Sequence, residues 1–212
     1  MPGNNSSSLT IKAHNIDFAY DNKKNVLENL NFEFNSKHIN FIIGRNGIGK
    51  TTVTKIIAGL LRPDNGNLVL NGTDLFSLYE NNKIKCSYLP TNPEKLFIGM
   101  TLHEEIKICR SYFGRESELI QDDVAFYLSQ NDRILSTLSN GEKYKAALLS
   151  ALWSAPDILI LDEPFILLDY KNRIEQIKKI LLLKKTKKMI IIWVTHRIEE
   201  TLLSKNNILL LD

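Results

Sequence analysis

The stretch Gly44-Arg45-Asn46-Gly47-Ile48-Gly49-Lys50-Thr51-Thr52 indicates the fold of this chain more specifically than any other segment. It matches the pattern G-x-x-x-x-G-K-[ST] in full, which is typical of loops that bind the phosphates of a nucleotide. The apolar run 39–43 before it predicts a buried strand, and apolar residues recur after it at helical spacing, at Val53, Ile56, Ile57 and Leu60. This strand-loop-helix context favours phosphate binding over an ordinary glycine-rich turn.

The residue types in this stretch suit a polyphosphate. Glycines let the backbone approach the phosphates with several N–H groups turned inward, and a helix that starts here adds the positive end of its dipole. Lys50 is predicted to reach the β- and γ-phosphates, and the Thr51 hydroxyl to bind Mg²⁺. The candidate phosphate-binding residues are Gly44, Asn46, Gly47, Gly49, Lys50, Thr51 and Thr52.

Composition and charge are those of an ordinary globular chain. Its 212 residues suffice for one large domain, or for a domain with an inserted lobe. With 43% hydrophobic and 24% charged residues, most of the chain is expected to fold. The net charge of +3 is mild, and the lysines of segment 171–188 are interspersed with apolar residues. That segment predicts the solvated face of an amphipathic helix, so no nucleic-acid partner is expected.

The sequence also limits where the protein works. Cys86 and Cys109 form no metal or disulfide framework, which favours a reducing compartment. No run approaches the ~20 apolar residues that span a bilayer, so a role at a membrane would depend on partners that anchor the chain. The first residues lack the features of a secretory signal, and residues 1–8 are predicted to be a disordered tail.

The order of the apolar segments predicts an α/β fold. Loose alternation over 11–20 and 27–34 predicts two strands of a partly exposed antiparallel sheet. From 101 to about 138 the spacing becomes helical, which predicts an inserted helical lobe, and another helix is expected over 142–153. Further strands are expected at 68–72, 86–89, 158–161, 189–194 and 208–211.

A pair of acids follows one of these strands. The apolar run 158–161 leads directly to Asp162 and Glu163, and Pro164 ends the strand there. Carboxylates at the carboxyl end of a parallel strand face the ligand crevice of the sheet. Asp162 is predicted to join the magnesium shell, and Glu163 to polarise the attacking water. A solvated pair of acids is the alternative, which the phosphate-binding stretch upstream makes less favourable.

The chain resembles the nucleotide-binding subunit of an ATP-binding-cassette (ABC) transporter from Ile11 to about Glu200. The stretch Leu138-Ser139-Asn140-Gly141-Glu142 is similar to the signature of that family, usually Leu-Ser-Gly-Gly-Gln. Locally, a capping box formed by Ser139 and Glu142 at a helix start explains these residues equally well. The order of the pieces decides between the two: glycine loop, helical insert, Ser-x-Gly, strand with Asp-Glu, then a histidine after another strand.

The resemblance implies a fold and further site residues. The fold would be a P-loop NTPase core with a mixed central sheet, an N-terminal antiparallel β-subdomain and a helical subdomain inserted at about 95–138, within a single domain 9–212. Tyr20 matches the aromatic residue that stacks on adenine, and His196 the histidine that contacts the γ-phosphate. Asp169 matches a loop through which two subunits communicate, although a helix N-cap would look the same.

The function implied by the resemblance is ATP hydrolysis coupled to transport, with ATP and Mg²⁺. Two identical or different subunits would enclose ATP, with Ser139 and Gly141 of one subunit covering the γ-phosphate held by the other. Lys50, Glu163 and His196 would be the catalytic residues. Closure of the dimer would drive translocation by transmembrane permease subunits, so the chain is expected to be peripheral on the cytoplasmic face of the cell membrane.

Several residues depart from the family pattern, among them the segment 165–167, which is bulkier than usual. Thr91 stands where the family has a glutamine, and it is too short to bring an amide oxygen to the metal and the water. As a candidate third metal-site residue beside Thr51 and Asp162, it predicts slower hydrolysis unless Asn92 or a water substitutes. Asn140 and Glu142 replace glycine and glutamine of the signature. Asparagine enters left-handed backbone regions readily, whereas Glu142 is expected either to weaken dimer closure or to point outward.

Several alternatives stay open at this stage. Segments 92–97 and 100–106 are similar to those of energy-coupling-factor and cobalt-type importers, while an exporter subunit is the alternative. Members of the family that serve in translation or DNA repair typically carry two cassettes or a long coiled coil, and this sequence shows neither. A binding-only cassette is a third possibility, because Thr91 and Glu142 differ from the family pattern.

Overall fold

The computed structural model describes residues 8–21, 25–114, 118, 120–129, 132–203 and 206–211. The predicted tail 1–8 lies outside these residues except for Ser8. The described strands are β1 (Thr10–Ala19), β2 (Asn25–Asn35), β3 (Ile39–Gly44), β4 (Asn65–Leu70), β5 (Thr73–Asp74), β6 (Cys86–Leu89), β7 (Ile158–Asp162), β8 (Ile190–Thr195) and β9 (Asn206–Leu211). The described helices are α1 (Lys50–Ile57), α2 (Leu75–Glu80), α3 (Leu102–Phe113), α4 (Gln121–Ser129), α5 (Asn140–Leu152) and α6 (Tyr170–Thr186), with short 3-10 helices at Pro93–Leu96, Leu135–Thr137 and Ile198–Leu203.

The central sheet has the strand order β6-β7-β8-β3-β9, and its described pairs are all parallel. Strands β7 and β8 are buried along their whole length, as expected of parallel strands covered on both faces. The predicted α/β class is confirmed. The expectation of a mixed central sheet differs from the structure, because the antiparallel strands alternate in burial and form a sheet of their own.

The second sheet is antiparallel, with the strand order β2-β1-β4-β5. Ile11, Ala13, Ile16 and Phe18 of β1 are buried, while most of the residues between them are exposed or half-buried. This confirms the partly exposed antiparallel sheet predicted from the first strands. Since β2 leads into β3, the sheet lies next to the segment that begins the phosphate-binding stretch.

Side chains of the central sheet alternate between two hydrophobic clusters. Phe41 and Trp193 belong to the first cluster, which also contains residues of α3, α4, α5 and α6. Ile42 and Val194 belong to the second cluster, together with α1 and the antiparallel sheet. The parallel sheet is therefore covered on both faces, and its carboxyl edge is the place where loops from several strands meet.

The predicted helical block corresponds to α3 and α4, although residues 115–117, 119 and 130–131 within it lie outside the described part of the chain. The extent of a separate subdomain over 95–138 stays a prediction. Short elements such as α2 were not predicted, because six residues are too few to establish a helical period. Asp74 supplies its N-cap by accepting a hydrogen bond from the Ser77 N–H at 2.8 Å.

The lysine-rich segment forms α6, as predicted. Ile177, Ile180 and Leu183 are buried against the first cluster, while Lys171, Lys178 and the lysines that follow the helix are exposed. The segment is therefore an amphipathic helix with a solvated lysine face. Within the described residues, no helix has both the length and the apolar character needed to cross a bilayer.

Candidate functional site

The phosphate-binding stretch connects the carboxyl end of β3 to the first turn of α1. The Lys50 ammonium donates hydrogen bonds to the carbonyls of Gly44 at 2.7 Å and Arg45 at 2.9 Å, which folds the loop around this side chain. Gly49 is the N-cap residue of α1 and gives the helix no side-chain cap. The first N–H groups of α1 are therefore oriented toward an external acceptor, as in sites that bind phosphate.

Two glycines of the loop are required by close contacts. A Cβ atom on Gly44 would lie 2.7 Å from the carbonyl oxygen of Leu211, and one on Gly49 would lie 2.9 Å from Leu27 Cδ2. Gly49 also has φ 109°, in the region that side chains disfavour. The loop can therefore hold this shape only with glycine at both positions.

Asp162 ends β7 beside the loop, and its side chain is buried. Its Oδ2 atom accepts hydrogen bonds from the Thr51 hydroxyl at 3.3 Å and from the Tyr88 hydroxyl at 2.5 Å. Burial, together with the bond to Asp162, raises the pKa of Tyr88, so the phenol keeps its proton and donates. A carboxylate beside a hydroxyl provides the oxygen ligands that Mg²⁺ prefers.

Glu163 follows directly and is paired with His196. Glu163 Oε2 lies 2.8 Å from His196 Nδ1, with the glutamate side chain 15% exposed and the histidine side chain 45% exposed. The backbone of Glu163 has φ 49°, a conformation uncommon for a residue with a side chain. Its N–H donates to the carbonyl of Val194, which ties the residue to β8. Glu163 and His196, predicted from separate parts of the sequence, thus meet at one edge of the sheet.

One cavity of about 420 Å³ brings most of the predicted site residues together. Tyr20 lines it on the side of the antiparallel sheet, where its hydroxyl lies 3.3 Å from Thr52 Oγ1. Val26 also lines the cavity and was not predicted; as one apolar residue in a strand, it carries no signal of its own. The lining residues are Tyr20, Val26, Asn46, Gly47, Gly49, Lys50, Thr51, Thr52, Thr91, Asp162 and Glu163.

Ser139 and Gly141 do not line this cavity. Ser139 is the N-cap of α5, where its hydroxyl accepts from the Glu142 N–H and the Glu142 carboxylate accepts from the Ser139 N–H at 2.9 Å. The capping box predicted from the sequence is therefore present. It is compatible with a role for Ser139 toward a ligand held by a second subunit, because the serine side chain is exposed at the start of the helix.

Glu142 is held by its neighbours and does not point freely outward. Its carboxylate accepts from the Ser139 hydroxyl at 2.7 Å and pairs with the Arg133 guanidinium. The hydrogen bond from Arg133, followed by those from Ser139, lowers the pKa of Glu142 to about 2, so the group stays ionised. Arg133 was not predicted, and it offsets the charge that Glu142 adds to the signature.

Asn140 occupies the first helical position of α5 and is not among the described residues with positive φ. The expected reason for its tolerance, access to the left-handed region, is therefore wrong. Gly141 is the position under constraint, because a Cβ atom there would lie 2.9 Å from Asn172 Cγ. Asn172 donates in turn to Asp169, which is the N-cap of α6. This chain of contacts joins the start of α5 to the start of α6.

Thr91 lies at the cavity, directly after β6 and one proline. Asn92 does not line the cavity; its side-chain oxygen caps the 3-10 helix Pro93–Leu96 by accepting from the Glu94 N–H at 3.0 Å. Because its amide is engaged there, Asn92 is poorly placed to take over the role of the missing glutamine. Of the two substitutes considered from the sequence, Asn92 is therefore disfavoured by the geometry.

The site combines a glycine loop at the carboxyl edge of a parallel sheet with a lysine, a threonine and an Asp-Glu pair around one cavity. This combination defines a P-loop nucleotide-hydrolysing protein. The family described as ABC transporter matches residues 27–166. The chain belongs to this family, and its members are ATPases.

Individual proteins agree with this assignment. The chain is 32% identical over 212 aligned residues to the energy-coupling factor transporter ATP-binding protein EcfA of Malacoplasma penetrans, covering 94% of this chain and 72% of that protein. It is 31% identical to EcfA1 of Ureaplasma parvum, covering 92% of this chain and 69% of that protein. The solved structure of cbiO1 from Clostridium perfringens, part of the ABC transporter complex cbiONQ, has the same fold, with a TM-score of 0.79, 22% identity, and coverage of 95% and 84%.

Proposed function

We propose that this protein is the ATP-binding and ATP-hydrolysing subunit of an ABC transporter that closes as a dimer around MgATP. The observation that carries the proposal is the cavity that gathers the phosphate loop, Thr91, Asp162 and Glu163 at one sheet edge. Release of phosphate from ATP by the purified protein, measured at steady state, tests the proposal. A protein that binds ATP without releasing phosphate would instead be the binding-only member of the family.

ATP would lie in the cavity with its phosphates on the loop and its base toward Tyr20. The phosphates would lie on the N–H groups at the start of α1, with the Lys50 ammonium redirected from loop carbonyls to phosphate oxygens. The base would lie against Tyr20, a residue that is 43% exposed and whose ring packs edge-on against Phe18. Stacking of the base on this ring would fix the nucleotide at its far end.

The residues present also suit Mg²⁺. Thr51 and Asp162 would hold it, and Thr91 is the third candidate through a water. The described residues contain no cluster of three or more histidine, cysteine or acidic side chains that could hold a metal alone. The remaining ligands would therefore come from phosphate and water, as is usual for magnesium. When bound, the ion supplies positive charge that stabilises the oxygens of the transferred phosphoryl group.

Hydrolysis would depend on the pair of Glu163 and His196. Glu163 lines the cavity, so its carboxylate can accept the proton of an attacking water, and the bond to His196 restricts the rotation of that carboxylate. His196 lines a neighbouring cavity with Gly44 and Arg45. We propose that it contacts the terminal phosphate from the side of the loop, although it does not line the nucleotide cavity in this structure.

A second subunit would complete the site, because Ser139 and Gly141 lie outside the cavity of their own chain. We expect Ser139→Asp to abolish ATP-dependent dimer formation and to leave ATP binding by the monomer unchanged. Aspartate is as good an N-cap as serine, so it can still accept from the Glu142 N–H, and a negative charge now faces the partner's triphosphate. The substitution also removes the bond that the Ser139 hydroxyl donates to the Glu142 carboxylate, so the stability of α5 has to be checked.

The matched control for this prediction is Ser139→Asn. Asparagine has the size and the capping ability of aspartate but carries no charge. Size-exclusion chromatography with and without ATP measures dimer formation, and thermal unfolding checks the cap. A dimer that forms equally well with Ser139→Asp would count against contact between the signature and the nucleotide.

Transport by membrane partners is proposed from the relatives. The EcfA proteins are named as ATP-binding proteins of energy-coupling factor transporters, and cbiO1 as part of a transporter complex. This chain would serve an importer of that type and lie on the cytoplasmic face of the membrane, held there by permease subunits. Affinity purification from the native membrane, followed by identification of copurifying membrane proteins, tests this role.

Thr91 is proposed to make hydrolysis slow. We expect Thr91→Gln to raise steady-state turnover about tenfold, because an amide that reaches the attacking water improves its alignment, and orientation effects are easily of that size. Thr91→Asn is the control, since it brings the same amide on a side chain one methylene shorter. Equal turnover in wild type and Thr91→Gln would mean that a water already fills the role of the glutamine.

A further inference from the structure

Tyr88 has no role in the proposed function as stated so far, yet its hydroxyl makes the shortest bond to Asp162, 2.5 Å. We propose that Tyr88 is a positioning residue for the magnesium site, which orients the Asp162 carboxylate toward the ion. This inference rests on the proposed function, because it concerns how strongly Mg²⁺ is held with ATP. Tyr88 would not touch the nucleotide, since its side chain does not line that cavity.

The parallel register of β6 and β7 explains how the contact arises. Tyr88 is paired with Ile160, and side chains two positions apart on a strand share one face, so Tyr88 and Asp162 lie on the same face of the sheet. A tyrosine is long enough to cover this diagonal distance between neighbouring strands. A phenylalanine would fill the same space but could not reach the carboxylate with a donor.

The bond belongs to a set of contacts that connects both predicted protein ligands of the ion. The Thr51 hydroxyl donates to the same Oδ2 atom of Asp162, and the Thr54 hydroxyl donates to the Thr51 carbonyl at 3.0 Å. The Thr54 side chain also interacts with the Tyr88 hydroxyl. Tyr88 therefore lies at a junction between α1 and β7, where it can fix the position of Asp162 relative to Thr51.

The geometry argues for an orienting role in particular. Since the bond to Tyr88 holds Oδ2, the plane of the carboxylate and the direction of Oδ1 are set before a ligand arrives. Groups that orient a metal ligand in this way typically change metal affinity or activity about 10- to 100-fold when they are removed.

The test is Tyr88→Phe, with the dissociation constant of ATP measured in excess Mg²⁺ and again in EDTA. The ratio of the two constants gives the gain in affinity that Mg²⁺ provides. We expect this gain to fall about tenfold in the variant, in line with other outer-shell partners of metals, while the affinity in EDTA stays the same.

Tyr79→Phe is the matched control, because it removes the hydroxyl of another half-buried tyrosine, which donates to the Ile57 carbonyl at 2.7 Å instead of to Asp162. Its magnesium gain should equal that of the wild type. In an Asp162→Asn background, Tyr88→Phe should have no further effect on the gain, because the group that it orients is already lost.

Three outcomes would overturn the inference. The first is that Mg²⁺ improves the ATP affinity of Tyr88→Phe as much as that of the wild type, which would leave the proposed function intact. The second is an equal loss of ATP affinity with and without Mg²⁺, which would indicate a general structural role for the hydroxyl. The third is a wild-type protein that binds ATP no better with Mg²⁺ than with EDTA, which would contradict the proposed magnesium site as well.

Discussion

Replacing Lys50 with alanine is expected to raise the dissociation constant of MgATP at least about 100-fold, since each hydrogen bond to a charged group contributes about 1.5–3 kcal/mol. Lys50 is the only described lysine that lines the nucleotide cavity, and its ammonium already lies within the loop. In the variant, the phosphates would lose this charge together with its hydrogen bonds. Isothermal titration calorimetry measures the effect directly.

The loss of Lys50 also removes hydrogen bonds within the loop, and this structural effect must be separated from the effect on ATP binding. The carbonyls of Gly44 and Arg45 lose their donor in the variant, which could loosen the loop without a ligand. Lys55→Ala is the control, because Lys55 lies in the last turn of the same helix and outside the cavity. Thermal unfolding without nucleotide detects loop damage. An unchanged ATP affinity in folded Lys50→Ala would contradict the assignment of the phosphate site.

The fold was largely predictable because its signals are local. The apolar runs that became β3, β7 and β8 are short and continuous, as buried parallel strands require, and the residues that follow β3 and β7 are those of the site. Sheet membership was not predictable in the same way. An antiparallel strand can join the central sheet or form a second sheet, and the outcome depends on contacts between residues that are far apart in sequence.

The site was predictable where the residue type itself carries the chemistry, as for Lys50, Asp162 and Glu163. Tyr88 was missed as a site residue, because its role depends on the register between β6 and β7 and on reach across the sheet. Arg133 was missed because its pairing with Glu142 brings together residues from two separate segments. Both are supporting residues whose function depends on geometry, which no sequence spacing indicates.

Glu142 shows how a single substitution is misjudged without its neighbour. Taken alone, a glutamate in the signature adds a negative charge near a polyphosphate. In the structure the carboxylate forms an ion pair with Arg133 and also accepts from the Ser139 N–H in the capping box of α5. The departure from the family pattern is therefore less disruptive than expected, which weakens the argument for a binding-only protein and leaves Thr91 as its main support.

The variant Glu163→Gln is expected to lower ATP turnover ~10²–10⁴-fold, the usual contribution of a positioned general base. Glutamine keeps the size of the side chain and can still hydrogen bond to His196, but it cannot accept a proton from water. Binding of ATP should stay close to that of the wild type, so MgATP would be trapped in the closed dimer. Single-turnover phosphate release measures the first effect, and titration with ATP the second.

Glu199→Gln is the matched control, since Glu199 is an exposed acid that follows His196 by three residues and does not line the cavity. Its turnover should equal that of the wild type. The comparison matters because the pairing of Glu163 with His196 allows either residue to be the group that limits hydrolysis. If Glu163→Gln kept near-normal turnover while His196→Ala lost it, the base would have to be reassigned, and Glu163 would be a residue that positions the histidine.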